Sequence, residues 1–221
     1  MKLLRFHWCI VLFVVILGAC QVLSACNLTT KVSQPPKDLR NGDIIFHQSQ
    51  TSQAVALEEA TASIWTHTGI ILWHNNQWMV AQASATVGYT PLEQFIAKGK
   101  QQRYVIKRLK NRLFPLDSDT GRNLENRVAN FLGRPYDIYF RWDDGSIYCS
   151  ELVWKVYEPF VRLTEPQKMK DLDLSGPQVI KLILERYKRK GKALNLEETV
   201  VTPISIFNSS RLYQVYDSSG N

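Results

Sequence analysis

The chain has few groups able to build a disulfide or a metal centre. Of its four cysteines, Cys9, Cys20 and Cys26 fall in the first 26 residues, and Cys149 alone belongs to the remainder. A single thiol excludes a disulfide within the folded domain. Beyond the leader the histidines are His47, His67 and His74. Scattered as they are, they show no ligand spacing with one cysteine, so no metal and no cofactor are expected. Long apolar runs are equally scarce. The ten residues Trp8 to Leu17 form the one uninterrupted stretch, and nothing later in the sequence is apolar enough to span a bilayer, which asks for about 20 such residues. Repeats and low-complexity tracts are lacking. The main basic run, Lys188-Arg189-Lys190, closes a helix-like segment where cations complement the helix dipole, so nucleic acid is not an expected partner.

What is present begins with the leader. Lys2 and Arg5 precede the apolar run, and Gly18-Ala19-Cys20 follows it; positive, apolar, small is the order of a secretory signal. Leu17-Gly18-Ala19-Cys20 and Leu23-Ser24-Ala25-Cys26 both resemble the bacterial lipobox, which makes Cys20 or Cys26 the expected lipidated residue. An uncleaved anchor and plain signal cleavage are the alternatives. The reading divides the chain into an anchor segment (1–26), a polar linker containing Pro35-Pro36 (27–38) and one folded domain (39–215). It implies a membrane-anchored lipoprotein of the bacterial cell envelope, facing the periplasm or the exterior. The formal charge of +7 fits an anionic surface nearby without requiring one.

With 45% apolar and 21% charged residues the chain has the composition of a folded globular protein. Strands are expected at 43–46, 66–73, 78–84 and 104–109, the middle two joined by a hairpin turn at 74–77. Helices are expected over 52–62 with Ser52 as N-cap, over 91–97, along Leu124, Val128, Phe131 and Leu132 up to Gly133, from Cys149, and over 175–190 between Pro177 and Gly191. The fold class is therefore α+β, an antiparallel sheet packed against helices.

Cys149 stands where an irregular segment meets an amphipathic helix. Unpaired amides and the positive dipole end at a helix start stabilise a thiolate and can receive an oxyanion. A nucleophilic cysteine needs a base held by a third polar group. His74 reads as a solvated turn residue and His47 as a loop residue, whereas His67 opens an apolar strand. If Trp73 pairs with Trp78, Ile71 faces Val80, Gly69 faces Gln82, and His67 and Gln82 become diagonal neighbours on one face. Gln82 could then accept the His67 ring N–H and fix its tautomer. On the residues alone an inert buried thiol, a core histidine and a solvent-facing glutamine remain open.

Four motifs in order carry a resemblance: 41–46 (NGDIIF), 66–71 (THTGII), 135–137 (PYD) and 148–154 (YCSELVW), with 196–203 near the end. Together they resemble the YiiX-like family, circularly permuted relatives of NlpC-type papain-like peptidases and of lecithin:retinol acyltransferase. The resemblance implies a permuted papain-like fold, with Cys149 as nucleophile and His67 as base, and explains why histidine precedes cysteine. Where the family usually has glutamate this chain has Gln82, which keeps an acceptor but loses a charge. The implied activity is thiol-dependent hydrolysis of an amide in a peptide or cell-wall-type substrate. Lipid acyl transfer or deacylation and a non-catalytic envelope-binding role are the alternatives. A monomer is expected.

Overall fold

The computed structural model describes residues 35–110 and 118–220. The expected leader, with Cys20 and Cys26, and the linker up to residue 34 lie outside them. In chain order the elements are β1 (Asp43–His47), α1 (Ser52–Thr61), β2 (His67–His74), β3 (Gln77–Ala83), β4 (Val87–Pro91), α2 (Leu92–Lys98), β5 (Tyr104–Leu109), α3 (Ser118–Ala129) and α4 (Cys149–Tyr157). β6 (Gln167–Lys168), α5 (Pro177–Arg186), β7 (Thr199–Val200), α6 (Pro203–Phe207) and β8 (Leu212–Asp217) follow. Six strands form one antiparallel sheet in the order β4-β3-β2-β1-β5-β8, and β6 pairs with β7 in a small ribbon. The architecture is α+β, as the sequence implies.

The strand periodicity of two sorts the apolar residues between two cores. Ile44, Phe46, Ile70 and Leu72 face the layer built by α3, α4 and α6, while Ile45, Ile71 and Val80 face Leu92, Phe95 and Ile96 of α2. All five residues of β1 are buried, and the three between Asp43 and His47, Ile44-Ile45-Phe46, form its apolar centre. Arg108 of β5 clasps Asp43 of β1 through Nε–Oδ1 (2.6 Å) and an Nη2–Oδ2 contact (2.9 Å) inside the sheet.

The β2–β3 register is the expected one, Trp73 opposite Trp78 and Ile71 opposite Val80. The turn is tighter than the four residues anticipated. The strands run through His74 and from Gln77, and only Asn75 and Asn76 remain between them, with φ of 51° and 61°. Asparagine tolerates this left-handed region, and positive φ at both central residues is what a type I′ hairpin needs. Register survives because both turn lengths are even.

Other boundaries moved for local reasons. Thr51, not Ser52, caps α1, its Oγ1 accepting from the Ala54 amide. Pro91 closes β4, so α2 begins at Leu92. The helix expected to reach Lys190 stops at Arg186, and Lys188–Lys190 form a 3₁₀ turn ended by Gly191 at φ 65°. The first amides of α5, those of Gln178 and Val179, donate to Glu59 Oε2 of α1 at 2.8 and 3.3 Å. A Cβ at Gly176 would lie 2.4 Å from that oxygen, so glycine lets the carboxylate reach the helix start. That contact sets α5 against α1, and the two helices enclose the cavity described next. Strands β4 and β8, the ribbon and α6 were not anticipated; they are short or irregular in pattern.

Candidate active site

The three residues singled out in the sequence come together at one end of the sheet. His67 opens β2 and shares a face with Gly69 and Ile71, and Gln82 reaches it from β3. His67 Nε2 lies 2.5 Å from Gln82 Oε1. A side chain at Gly69 would meet Val80 Cγ1 at 2.4 Å and the Ala81 carbonyl at 2.9 Å, so this strand pair requires glycine there. Gln82 is only 3% exposed. Its Nε2 donates to Thr90 Oγ1 of β4 (2.7 Å), which turns its carbonyl toward the imidazole. Thr90 is thus a positioning residue that sequence reasoning missed, because β4 itself had not been recognised.

Cys149 is the first residue of α4 and is 4% exposed. The helix start is clamped from both sides. Tyr148 Oη accepts from the Val201 amide (3.1 Å), Ser150 Oγ donates to the Val201 carbonyl (2.7 Å), and Glu151 Oε2 accepts from the Tyr148 amide (3.3 Å). The thiol is hydrogen-bonded to His67 and to the backbone amides of Thr68 and Ser150. With Gln82 on Nε2, Nδ1 is the ring nitrogen left for sulfur. Burial alone would raise the Cys149 pKa, but the His67 charge and these hydrogen bonds outweigh it and hold the thiol below its ordinary value. Burial alone would lower the His67 pKa; the Cys149 charge and the hydrogen bonds to Cys149 and Gln82 outweigh that and raise it. Both shifts favour a thiolate–imidazolium pair.

Two histidines depart from their expected places. His47 is no loop residue: it ends β1 opposite His67, is 2% exposed and stacks on Phe95 with ring centroids 4.4 Å apart. Burial first, and the neighbouring His67 second, push its pKa well below the usual value, so it stays neutral beside the pair. His74, expected in a solvated turn, ends β2, where it stacks on Tyr89 at 4.2 Å and meets Glu125 of α3 at 3.0 Å.

A fourth group at the sulfur, Tyr136, enters the sequence reading only as part of the 135–137 motif. The bridge from Tyr136 to Ile147 ties its segment to the strand-like approach to Cys149, and Asp137 caps the loop that follows by accepting from the Tyr139 and Arg141 amides at 2.8 and 2.7 Å. The Tyr136 hydroxyl is hydrogen-bonded to Cys149, and burial followed by the Cys149 charge pushes its pKa well above the usual phenol range. Its polarity is fixed from behind. Arg186, a donor only, gives an N–H to Gln53 Oε1 (2.8 Å), and Gln53 Nε2 gives one to Tyr136 Oη (2.6 Å). The phenol proton is therefore directed at the sulfur side.

The arrangement is that of a permuted papain-like enzyme. A family model described as "Permuted papain-like amidase enzyme, YaeF/YiiX, C92 family" matches residues 38–216. The chain belongs to this family. Among its relatives the uncharacterized protein YiiX of Escherichia coli (strain K12) is 42% identical over 178 residues, covering 80% of this chain and 85% of YiiX. The crystal structure of yiiX from Escherichia coli O157:H7, described as a metalloprotein with a DUF1105 domain, superposes with a TM-score of 0.75 at 41% identity, over 80% of this chain and 97% of that one. Among the described residues here, no three His, Cys, Asp or Glu side chains are grouped to hold a metal ion. Membership makes the chain a permuted papain-like amidase by family.

The neutral third group has a measurable consequence. Gln82→Glu is expected to raise the His67 pKa and extend rapid alkylation of Cys149 to higher pH. Gln82→Ala should slow alkylation near neutrality by about tenfold, the equivalent of one orienting hydrogen bond lost. The check is the iodoacetamide rate against pH for the three proteins. An alanine variant that overlays wild type throughout would remove Gln82 from the site.

Proposed function

We propose that the protein is a thiol-dependent hydrolase of amides whose acyl half is a long apolar chain, with Cys149 as nucleophile, His67 as general base and acid, and Gln82 as the orienting group. The observation that carries this reading is an apolar depression beside Cys149, whose space of about 740 Å³ is in part open to solvent. Leu57 of α1, Met169, Leu174, and Val179, Leu182 and Ile183 of α5 line it together with Cys149, Tyr136 and Arg186. A peptide or cell-wall fragment needs polar partners along its length, and this wall supplies almost none; an alkyl chain needs only apolar area. The deacylase alternative read from the sequence thus merges with the amidase activity of the family. The leader and the lipobox cysteines support action at an envelope membrane, where acyl lipids are concentrated.

In this mechanism the Cys149 thiolate attacks the amide carbonyl. The negative charge that develops on oxygen is received by the amide at the start of α4 and by the Tyr136 hydroxyl. Imidazolium His67 gives its proton to the departing nitrogen, leaving a Cys149 thioester. Water, deprotonated by neutral His67, then releases the acid and restores the pair.

The test is a series of acyl anilides from acetyl to dodecanoyl. Each methylene buried is worth about 0.8 kcal/mol, so kcat/KM should climb by up to about fourfold per carbon until the cavity is full. Leu182→Trp, which intrudes on the depression, should end the climb at a shorter chain while sparing the acetyl substrate. A profile without chain-length dependence, or turnover of muramyl peptides with long-chain amides inert, would reject the proposal.

A further inference from the structure

A second depression adjoins the first, and its chemistry is opposite. It is a wide polar groove enclosing about 1400 Å³, in part open to solvent, with His67 and Gln82 on its floor. Gln53, Tyr136 and Arg186 are common to both depressions and stand as the wall between them. An amide with its acyl chain in the apolar cavity and its carbonyl at Cys149 therefore sends its nitrogen substituent into this groove.

The groove has a one-signed lining. Its neutral polar residues include Ser49, Gln50, Ser52 and Ser84, its charged ones other than histidine are Lys98 and Arg186, and no aspartate or glutamate lines it. The carboxylates of nearby α1 are committed elsewhere. Glu58 accepts from Gln48 Nε2 (2.7 Å), and Glu59 caps α5. Arg186 is bonded to neutral acceptors, the Ile138 carbonyl and Gln53 Oε1, both at 2.8 Å. Lys98 is exposed at the end of α2 and makes no ion pair among those found in the described residues. Two cations with no carboxylate beside them in the groove lining thus flank a site that must also carry imidazolium. The Lys98 charge reaches His67 and works against its protonation. An anion seated between the cations would relieve that repulsion as well as bind.

We infer that this groove is the leaving-group site of the hydrolysis proposed above, and that it selects amines bearing an anion, a carboxylate or a phosphate, a few bonds from the scissile nitrogen. The inference rests on that reading for the reaction, but on the Lys98–Arg186 groove for its chemistry. An acylated amino acid and an acylated phosphoethanolamine headgroup both satisfy it.

The experiment holds the acyl chain constant and varies the head: N-dodecanoylglycine, N-dodecanoylphosphoethanolamine and neutral N-dodecanoylethanolamine. At low salt the anionic amides should exceed the neutral one in kcat/KM by on the order of tenfold, and added KCl should narrow the gap. Lys98→Glu should erase the preference, read as the ratio of anionic to neutral kcat/KM within the variant, so that any effect of the charge on His67, common to all three amides, cancels. The faster anionic arm identifies carboxylate or phosphate as the natural head. Equal rates for all three heads, or an anionic-to-neutral ratio that Lys98→Glu leaves unchanged, would overturn the inference while leaving the acyl hydrolase intact. If no amide is cleaved, the hydrolase reading fails, and the groove is judged by alkylation instead. Lys98→Glu should then slow anionic iodoacetate at Cys149 by about fivefold relative to neutral iodoacetamide, and an equal effect on both reagents would overturn it.

Discussion

Cys149→Ala is expected to abolish turnover of every amide the wild type cleaves, and His67→Ala to lower kcat by roughly 10⁴-fold or more, since a nucleophile and its base act as a unit. The thiol itself gives the sharper measurement, because it needs no substrate. The Cys149 pKa lies below its ordinary value and that of His67 above its own. As pH rises the thiolate forms through the lowered Cys149 pKa, and the imidazolium is lost only through the raised His67 pKa. Alkylation by iodoacetamide should therefore already be fast below neutrality and change again on the alkaline side, where the pair becomes thiolate and neutral imidazole. In His67→Ala the lower limb should move up toward free cysteine, about 8.5, because the charge and hydrogen bond that offset burial are gone. A wild-type thiol that stays silent until the protein is denatured would mark Cys149 as a structural residue, and the proposed hydrolase would fall with it.

The parts of this site that are local in sequence were legible there. The start of α4 could be read because Leu152, Val153 and Val156 repeat with helical spacing directly after a segment without periodicity. The His67–Gln82 contact could be read because a hairpin couples the two residues through a short turn, and parity alone decides whether they share a face. Elsewhere the determining partner is distant. His47 looked like a loop residue because its burial comes from Phe95 on α2, 48 positions further along the chain, and from a strand pairing that no local pattern reports. Thr90 was invisible as a positioning residue because β4 ends in a proline and holds a glycine, residues that weaken a strand signal. The cavity is the extreme case. Leu57, Met169 and Leu182 come from three separate segments, each of which reads by itself as one side of an ordinary core. Along one side the cavity is lined by α5, which meets Glu59 at its N-terminus and bonds Gln53 through Arg186 at its other end. The substrate proposal depends on that long-range assembly, and a peptide substrate was the natural expectation without it.

Tyr136→Phe should cost nearly as much as the loss of an oxyanion-hole donor elsewhere, about 10²- to 10³-fold in kcat, while removing only one oxygen from the protein. The ring is kept, so packing is kept. What disappears is the end of a chain of donors running from Arg186 through Gln53 to the phenol, each fixed in direction by the one before it. A donor that is oriented before substrate arrives costs no reorganisation when charge develops on the carbonyl oxygen, and burial keeps this one protonated. The prediction separates that role from simple support of the thiolate. Alkylation has no oxyanion, so iodoacetamide should react with Cys149 in Tyr136→Phe at a rate within about threefold of wild type, whereas acyl transfer to Cys149 is slowed by the full factor. KM should change little, because a hydrogen bond to a developing charge stabilises the transition state more than the bound amide. Gln53→Leu leaves the phenol in place but frees it to rotate, and should give an intermediate loss. Were Tyr136→Phe to turn over at the wild-type rate, the oxyanion would have to be held by backbone amides alone, and the Arg186–Gln53–Tyr136 chain would be a packing feature of the wall between the two depressions.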